Sequence, residues 1–296
     1  MTRRDAVSQL VGAAAALGTA AAVGGAGAAL VPAASAATSA GRVKQSLARW
    51  CYGKIPIEDL CRTAASLGIT GMDLVAPEDW PVCRKYGITP AMVQGAVMNG
   101  PGSVFDYGWN NKANHDKLEE AARSSILRAA EAKVPNVITL FGARRGMSDR
   151  EGIDNCITGL NRVKKFAEDH GVTLCVELLN SKVDHKDYQG DHTAYGVAVI
   201  KGVDSPRVKL LFDAYHMQIM EGDLIRTIRD NIQYIAHFHV AGVPGRHEID
   251  DTQEVNWHAV AKAIADLNFP GYIAQEFTPT RDPLASLKQA VEILTV

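Results

Sequence analysis

One rhythm constrains this chain more than any other feature. A short apolar run, a polar segment and an amphipathic stretch of helical spacing recur in series from about residue 43 to the C-terminus. The apolar runs are Gln45–Cys51, Gly71–Val75, Thr89–Val97, Asn136–Phe141, Val172–Glu177, Val208–Phe212, Tyr234–Val240 and Tyr272–Glu276. Near-continuous apolar runs of strand length are those of strands covered on both faces. Helical spacing falls at Ile57–Leu67, Glu78–Tyr86, Asp116–Lys133, Arg150–His170, from about Ala194, at Asp223–Asn231 and Trp257–Leu267, and Pro283–Leu294 closes the chain. Gly68, Gly87 and Gly171 supply helix stops. Short connections at one end of the units and longer ones at the other predict a closed parallel (β/α)8 TIM barrel, one α/β domain over residues 43–296. A doubly wound open sheet is the alternative. It usually carries a glycine-rich phosphate loop after its first strand, and Trp50-Cys51-Tyr52-Gly53-Lys54 is not one.

Residues 1–36 break the rhythm. Arg3-Arg4 precedes a weakly apolar Ala/Gly/Val/Leu run, and Ala34-Ser35-Ala36 supplies small residues at a cleavage position. This is the layout of a secretory signal, with the paired arginines indicating the twin-arginine route. An uncleaved anchor is the alternative, since the run is long enough to span. Cleavage after Ala36 leaves about 260 residues, a usual barrel size. The expected location is therefore periplasmic or extracellular, with no stable membrane association after cleavage. Five scattered cysteines without a CxxC pair read as buried free thiols rather than as zinc ligands or a disulfide framework. A net charge of −2 gives no basis for nucleic-acid binding.

The chemistry-bearing residues fall at strand ends. The fifth run ends at Glu177, the sixth is followed by Asp213, the seventh carries His239 and the eighth ends at Glu276. In a TIM barrel the carboxyl ends of the strands face one site. Any one of these residues could simply pair with a neighbouring Arg or Lys. Three converging carboxylates, however, repel unless a cation lies among them. The expected cofactor is one divalent metal held by Glu177, Asp213, His239 and Glu276. Hard oxygen ligands and one imidazole suit Mn2+ or Mg2+ best, with Co2+ or Zn2+ admissible. Around it, His216, Arg246, Asn180, His185 and Arg144 are candidate substrate-binding groups, Arg being the natural partner of a carboxylate. His237 is expected to turn away from His239 and pack against a helix. His115 and His170 read as surface or capping residues.

A metal-chelated α-hydroxy-ketone has an acidified C–H and a polarised carbonyl. Glu177 and Glu276 are the candidate acid/base pair that removes and returns the proton through a metal-stabilised enediolate. The outcome is aldose–ketose isomerisation, or 3-epimerisation if the proton returns to the opposite face of the same carbon. A metal-dependent lyase acting on a keto-sugar glycoside is one alternative, and a non-catalytic exported sugar-binding protein is another. The expected partner is a small sugar or hydroxy-keto acid, with homo-oligomerisation left open.

Six segments also resemble a known family: Arg49-Trp50-Cys51-Tyr52-Gly53, Gly108-Trp109-Asn110 with Asn114-His115, Val176–Asn180, Phe212–Gln218, Ala241–Glu248 and Gln275-Glu276-Phe277. They are similar to the hydroxypyruvate isomerase-like branch of the xylose isomerase-like TIM barrels, which includes the ketose 3-epimerases. The resemblance implies metal ligands at Glu177, Asp213, His239 and Glu276, acid/base roles for Glu177 and Glu276, and substrate contacts by His216 and Arg246. It also implies a sugar isomerase or epimerase. At the strand-seven ligand position the hydroxypyruvate isomerases typically carry Gln, whereas this chain has His239, as the ketose epimerases do.

Overall fold

The structure, a computed structural model, describes residues 41–296. The proposed signal segment, residues 1–36, lies outside them. The elements run β1 (Lys44–Ala48), α1 (Ile57–Ser66), β2 (Gly71–Asp73), α2 (Trp80–Lys85), β3 (Thr89–Val93), α3 (His115–Glu131), β4 (Asn136–Leu140), α4 (Asp149–Asn161) and α5 (Lys164–His170). They continue with β5 (Thr173–Glu177), α6 (Thr193–Val203), β6 (Val208–Asp213), α7 (Ala214–Met220), α8 (Leu224–Asn231), β7 (Ile235–Val240), α9 (Trp257–Asp266), β8 (Tyr272–Gln275) and α10 (Pro283–Leu294). Every strand pairs in parallel with the next, and β8 pairs with β1, so the sheet closes as the eightfold rhythm predicts.

Two packed layers hold the barrel. The larger lies between the sheet and the helices. In α1, Leu60, Cys61 and Ala64 follow helical spacing and are all buried. Burial of Leu60 contributes about 1.5–3 kcal/mol by leaving water, and the smaller Cys61 and Ala64 contribute less. The smaller cluster is Met92, Ile138, Cys175 and Leu211, contributed by β3 to β6. Cys175 and Leu211 sit two residues before Glu177 and Asp213, on the same face of their strands. Together the four form an apolar floor directly beneath the strand ends. The cysteines are free thiols, with Cys51 half-buried and the other four buried.

Local chemistry sets the departures from the expected elements. The single helix expected over Arg150–His170 is broken into α4 and α5. At the break, the Arg162 and Val163 amides donate three residues back rather than four, to Gly159 and Leu160. The first strand stops at Ala48, and Arg49–Tyr52 coils into a 3-10 turn. α7 is a helix that the hydrophobic pattern did not reveal. Its signal is Asp213, whose carboxylate caps it by accepting from the Tyr215 and His216 amides. No helix among the described residues is long and apolar enough to cross a membrane.

Candidate active site

Register brings the strand ends to one level. Leu140 is opposite Glu177, Glu177 opposite Leu211, Asp213 opposite His239, and Val240 opposite Gln275, the residue before Glu276. Glu177, Asp213, His239 and Glu276 are all buried. Each offers one ligating atom, and these four atoms lie within 4.8 Å of one another. His239 Nδ1 is at the centre: 2.8 Å from Glu276 Oε2, 3.4 Å from Glu177 Oε1 and 4.0 Å from Asp213 Oδ2. It nevertheless has no partner in hydrogen-bonding geometry. A buried nitrogen without a hydrogen bond, among three carboxylates, is the chemistry of a site that could hold a hard divalent cation.

The opposite ring nitrogen explains the orientation. His239 Nε2 lies 3.3 Å from Asp73 Oδ2, and His237 Nε2 makes a shorter contact with the same oxygen. This corrects the expectation for His237. Residues two apart on a strand share a face, so His237 points into the barrel beneath His239 and not toward a helix. Asp73, which the reading of the sequence did not single out, is fully buried. Burial pushes its carboxyl up, but the two imidazoles outweigh that and hold it at about 2.

Arg246 ties the remaining groups together. Its guanidinium donates to Asp213 Oδ2 at 3.1 Å, contacts Glu276 Oε2 closely, and lies 2.7 Å from His216 Nε2. Trp50 and Tyr215 place their rings 5.8 and 5.0 Å from it. The loop that presents it folds tightly: a Cβ at Gly242 would come within 2.2 Å of the Glu248 carbonyl oxygen. Arg246 itself sits at φ +57, left-handed backbone that side chains rarely adopt. Asn180 Nδ2 is 2.6 Å from His216 Nδ1 and also donates to Asp184, so it positions His216 rather than lining the cavity. His185 does reach the cavity, its ring 5.2 Å from that of His216. Arg144 is not brought to the site. Its guanidinium pairs with Asp149 at 2.5 Å.

Electrostatics follow from burial and pairing. Burial is the main force on Asp213 and, with Glu276 and Glu177 nearby, pushes its carboxyl up to about 7 against Arg246 and His239. Burial acts on Glu276 too, but His239 and Arg246 outweigh it and hold that carboxyl low. His216 is pushed well down by burial and by the positive charge of Arg246, so it is a neutral imidazole. Burial disfavours charge on His239 as well, yet the carboxylates around it raise it well above its usual value. In the protein alone, then, His239 and Arg246 supply the positive charge that the carboxylate cluster requires.

A cavity of about 390 Å3 opens above the cluster. Glu177, Glu276, His185, His216 and Arg246 line one side of it, and Trp50 stands at its edge, donating from Nε1 to Glu276 Oε1 at 2.8 Å. The long loop after β3 divides in two. Its first part sends Val104 and Phe105 over the cavity, with the Phe105 ring 4.2 Å from that of His185. Its second part is structural: Trp109 is fully buried and donates to Thr139 Oγ1 at 2.8 Å. His115 is buried against the Trp109 carbonyl, not on the surface.

A closed parallel barrel with carboxylates and imidazole gathered at its carboxyl ends defines an enzyme of the TIM-barrel class. The chain belongs to the xylose isomerase-like TIM barrel family, whose model matches residues 61–295. It is 26% identical over 239 residues to a 2-oxo-tetronate isomerase of Pectobacterium atrosepticum, covering 77% of this chain and 88% of that protein. It is 25% identical over 234 residues to the hydroxypyruvate isomerase of Escherichia coli, covering 76% and 89%. Its fold also matches a crystal structure of D-psicose 3-epimerase in the presence of D-fructose, with a TM-score of 0.64 and 18% identity over 85% of this chain and 97% of that one. The resemblance read in the sequence therefore holds, and the chain's enzyme class is that of the isomerases, epimerases included.

Proposed function

We propose that this protein is a divalent-metal-dependent isomerase or epimerase of a small hydroxy-ketone, hydroxy-keto acid or sugar. Glu177, Asp213, His239 and Glu276 would hold the ion, Mn2+ or Mg2+ by the hardness of the donors. The observation that carries the proposal is the meeting of those four ligating atoms, with the unpartnered His239 Nδ1 among them, beneath a cavity that Glu177 and Glu276 both line. When bound, the cation supplies polarisation of the substrate carbonyl and a more acidic neighbouring C–H.

The protein's own groups then move the proton. A carboxylate of Glu177 or Glu276 takes it from the carbon beside the carbonyl, and the C–H electron pair shifts toward the carbonyl oxygen, giving an enediolate. Return of the proton to the neighbouring carbon, with the hydroxyl proton passing to the former carbonyl oxygen as the new carbonyl forms, completes isomerisation. Return to the opposite face of the same carbon completes epimerisation. Arg246 and His216 bind and orient substrate oxygens. A buried guanidinium and a neutral imidazole suit this work, one as a fixed charge and the other as a hydrogen-bonding group. The Phe105 and His185 loops exclude water. Two glutamates on the cavity favour catalysis over a binding-only role.

The test is incubation of the metal-loaded protein with hydroxypyruvate and with ketoses in D2O, followed by NMR. Exchange of a C–H for C–D that is lost in Glu276→Gln is expected, and the same spectra register elimination, the lyase outcome. A fully folded protein that binds no divalent ion and exchanges no C–H of any α-hydroxycarbonyl compound sinks the proposal. Export through residues 1–36 also belongs to the proposal, and fractionation of expressing cells by immunoblot tests it.

A further inference from the structure

The cavity has two chemistries. The charged and imidazole groups follow β5, β6, β7 and β8. Across the closed barrel, the wall built from the first half of the chain is hydrocarbon: Leu74 after β2, Val97 after β3, Val104 and Phe105 on the turn above, and Ile138 and Leu140 on β4. Gln94 is the one amide on that side. Phe105 is not a loose cover, since its ring packs on His185, which in turn stacks near His216.

We propose that the substrate is amphipathic: an α-hydroxy-ketone or hydroxy-keto acid whose end remote from the reacting carbons is apolar, such as a deoxy, alkyl- or aryl-bearing unit, rather than a fully hydroxylated sugar. This rests on the isomerase or epimerase reading and specifies its substrate class. The reacting end needs the polar side, because Arg246, His216 and the carboxylates are there. The far end then meets the β2–β4 wall. Hydroxyls buried on that wall lose their water and find only Gln94 to replace it, which lowers kcat/KM roughly tenfold or more for each unmatched group. A methyl or ring in the same place gains contact instead. Size agrees with chemistry. A three-carbon acid held at the carboxylates leaves most of a cavity of about 390 Å3 unfilled.

The test is a matched series in D2O followed by NMR: a ketohexose, its 6-deoxy analogue and its 6-O-benzyl ether. With metal-loaded wild type, exchange at the reacting carbon is expected in all three, with kcat/KM rising at least tenfold from the parent to the 6-deoxy compound. Two variants on the half-exposed turn, Val104→Asn and Phe105→Ser, should narrow that ratio to within about threefold, and circular dichroism checks that they are folded. Exchange in all three compounds at equal kcat/KM, or fastest for the parent, overturns the apolar-end inference and leaves the isomerase reading standing. Exchange in none of them, nor in hydroxypyruvate, removes the isomerase reading and this inference with it.

Discussion

Asp73 on β2 and His239 on β7 meet across the interior of the barrel, the Asp73 Oδ2 atom 3.3 Å from His239 Nε2 and both side chains fully buried. The carboxylate accepts a hydrogen bond from Nε2–H and so turns Nδ1 toward Glu177, Asp213 and Glu276. A ligating imidazole commonly depends on such a partner for its tautomer and angle. Asp73→Asn is expected to weaken Mn2+ binding by about 10- to 100-fold, measured by calorimetric titration. In metal-free protein brought to a pH at which His239 is neutral, its 15N shifts should show a mixed tautomer where wild type shows one. Unchanged affinity and an unchanged tautomer would deny Asp73 this role.

Glu177 and Glu276 are the proposed proton carriers. Replacing either with Gln should lower C–H exchange in D2O by roughly 10²- to 10⁴-fold, the usual contribution of a positioned acid or base. Gln keeps one oxygen ligand, so the ion should still bind, more weakly. A variant that loses exchange only because it has lost metal will recover at saturating Mn2+; a lost proton carrier will not.

Arg246 compensates two buried carboxylates, Asp213 and Glu276. Arg246→Ala leaves them facing each other and Glu177. The metal-free variant should be less stable than wild type by about 1–3 kcal/mol, the desolvation cost of a buried polar group left unpaired. Added Mn2+ should restore most of that loss, because a cation meets the same need. Thermal melts of both proteins with and without the ion decide the matter, and a deficit that the ion does not touch would show that Arg246 acts elsewhere.

Metal removal should be visible in stability as well as in activity. An ion at a hundred times its Kd adds about 2.7 kcal/mol to the folded state, which for a domain of this size raises Tm by roughly 5–10 °C. Chelation should reverse the shift, and Asp213→Ala should abolish it.

Glu248 supplies a pH dependence that owes nothing to the metal. It accepts hydrogen bonds from Thr280 and Ser286, which fasten the start of α10 to the loop bearing Arg246. Burial alone would raise its carboxyl, but its own backbone amide together with these bonds holds it at about 2, below the usual 4.5. A depressed carboxyl stabilises the fold above its ordinary value and loses that contribution as pH falls toward the folded one. Wild type should therefore lose stability between pH 4.5 and about 2. Glu248→Gln should start less stable at pH 7 and show a shallower decline in the same window, read by urea denaturation at each pH.

The barrel and its cluster were legible because both follow short-range rules. Apolar runs of strand length recur eight times, and carboxylates and an imidazole at successive strand ends converge once the sheet closes. What escaped was long-range or depended on direction. Asp73 sits in an ordinary strand, and only closure carries it to two histidines of β7. The sequence expectation turns His237 toward a helix, although its spacing of two from His239 already fixes a shared side. Arg144 resembles Arg246 in sequence, a loop arginine after a strand, but Asp149 five residues on holds it away from the site. The role of Trp50 required knowing that β1 stops at Ala48 and coils, which turns the indole to Glu276.

The cavity is also partitioned along the length of the chain. Every ionisable group that lines it lies from Glu177 onward, and the hydrocarbon wall, Leu179 apart, is complete by Leu140. The groups proposed to react and most of the wall proposed to receive the far end of the substrate thus lie in separate halves of the chain. Substitutions along the β2–β4 lining can therefore re-aim the enzyme at new molecules while Asp73 and Trp50, which contact His239 and Glu276, stay fixed. A single crossover within α4 would keep the Glu177, Asp213, His239 and Glu276 cluster whole but part it from Asp73 and Trp50, so both parents would need those two residues.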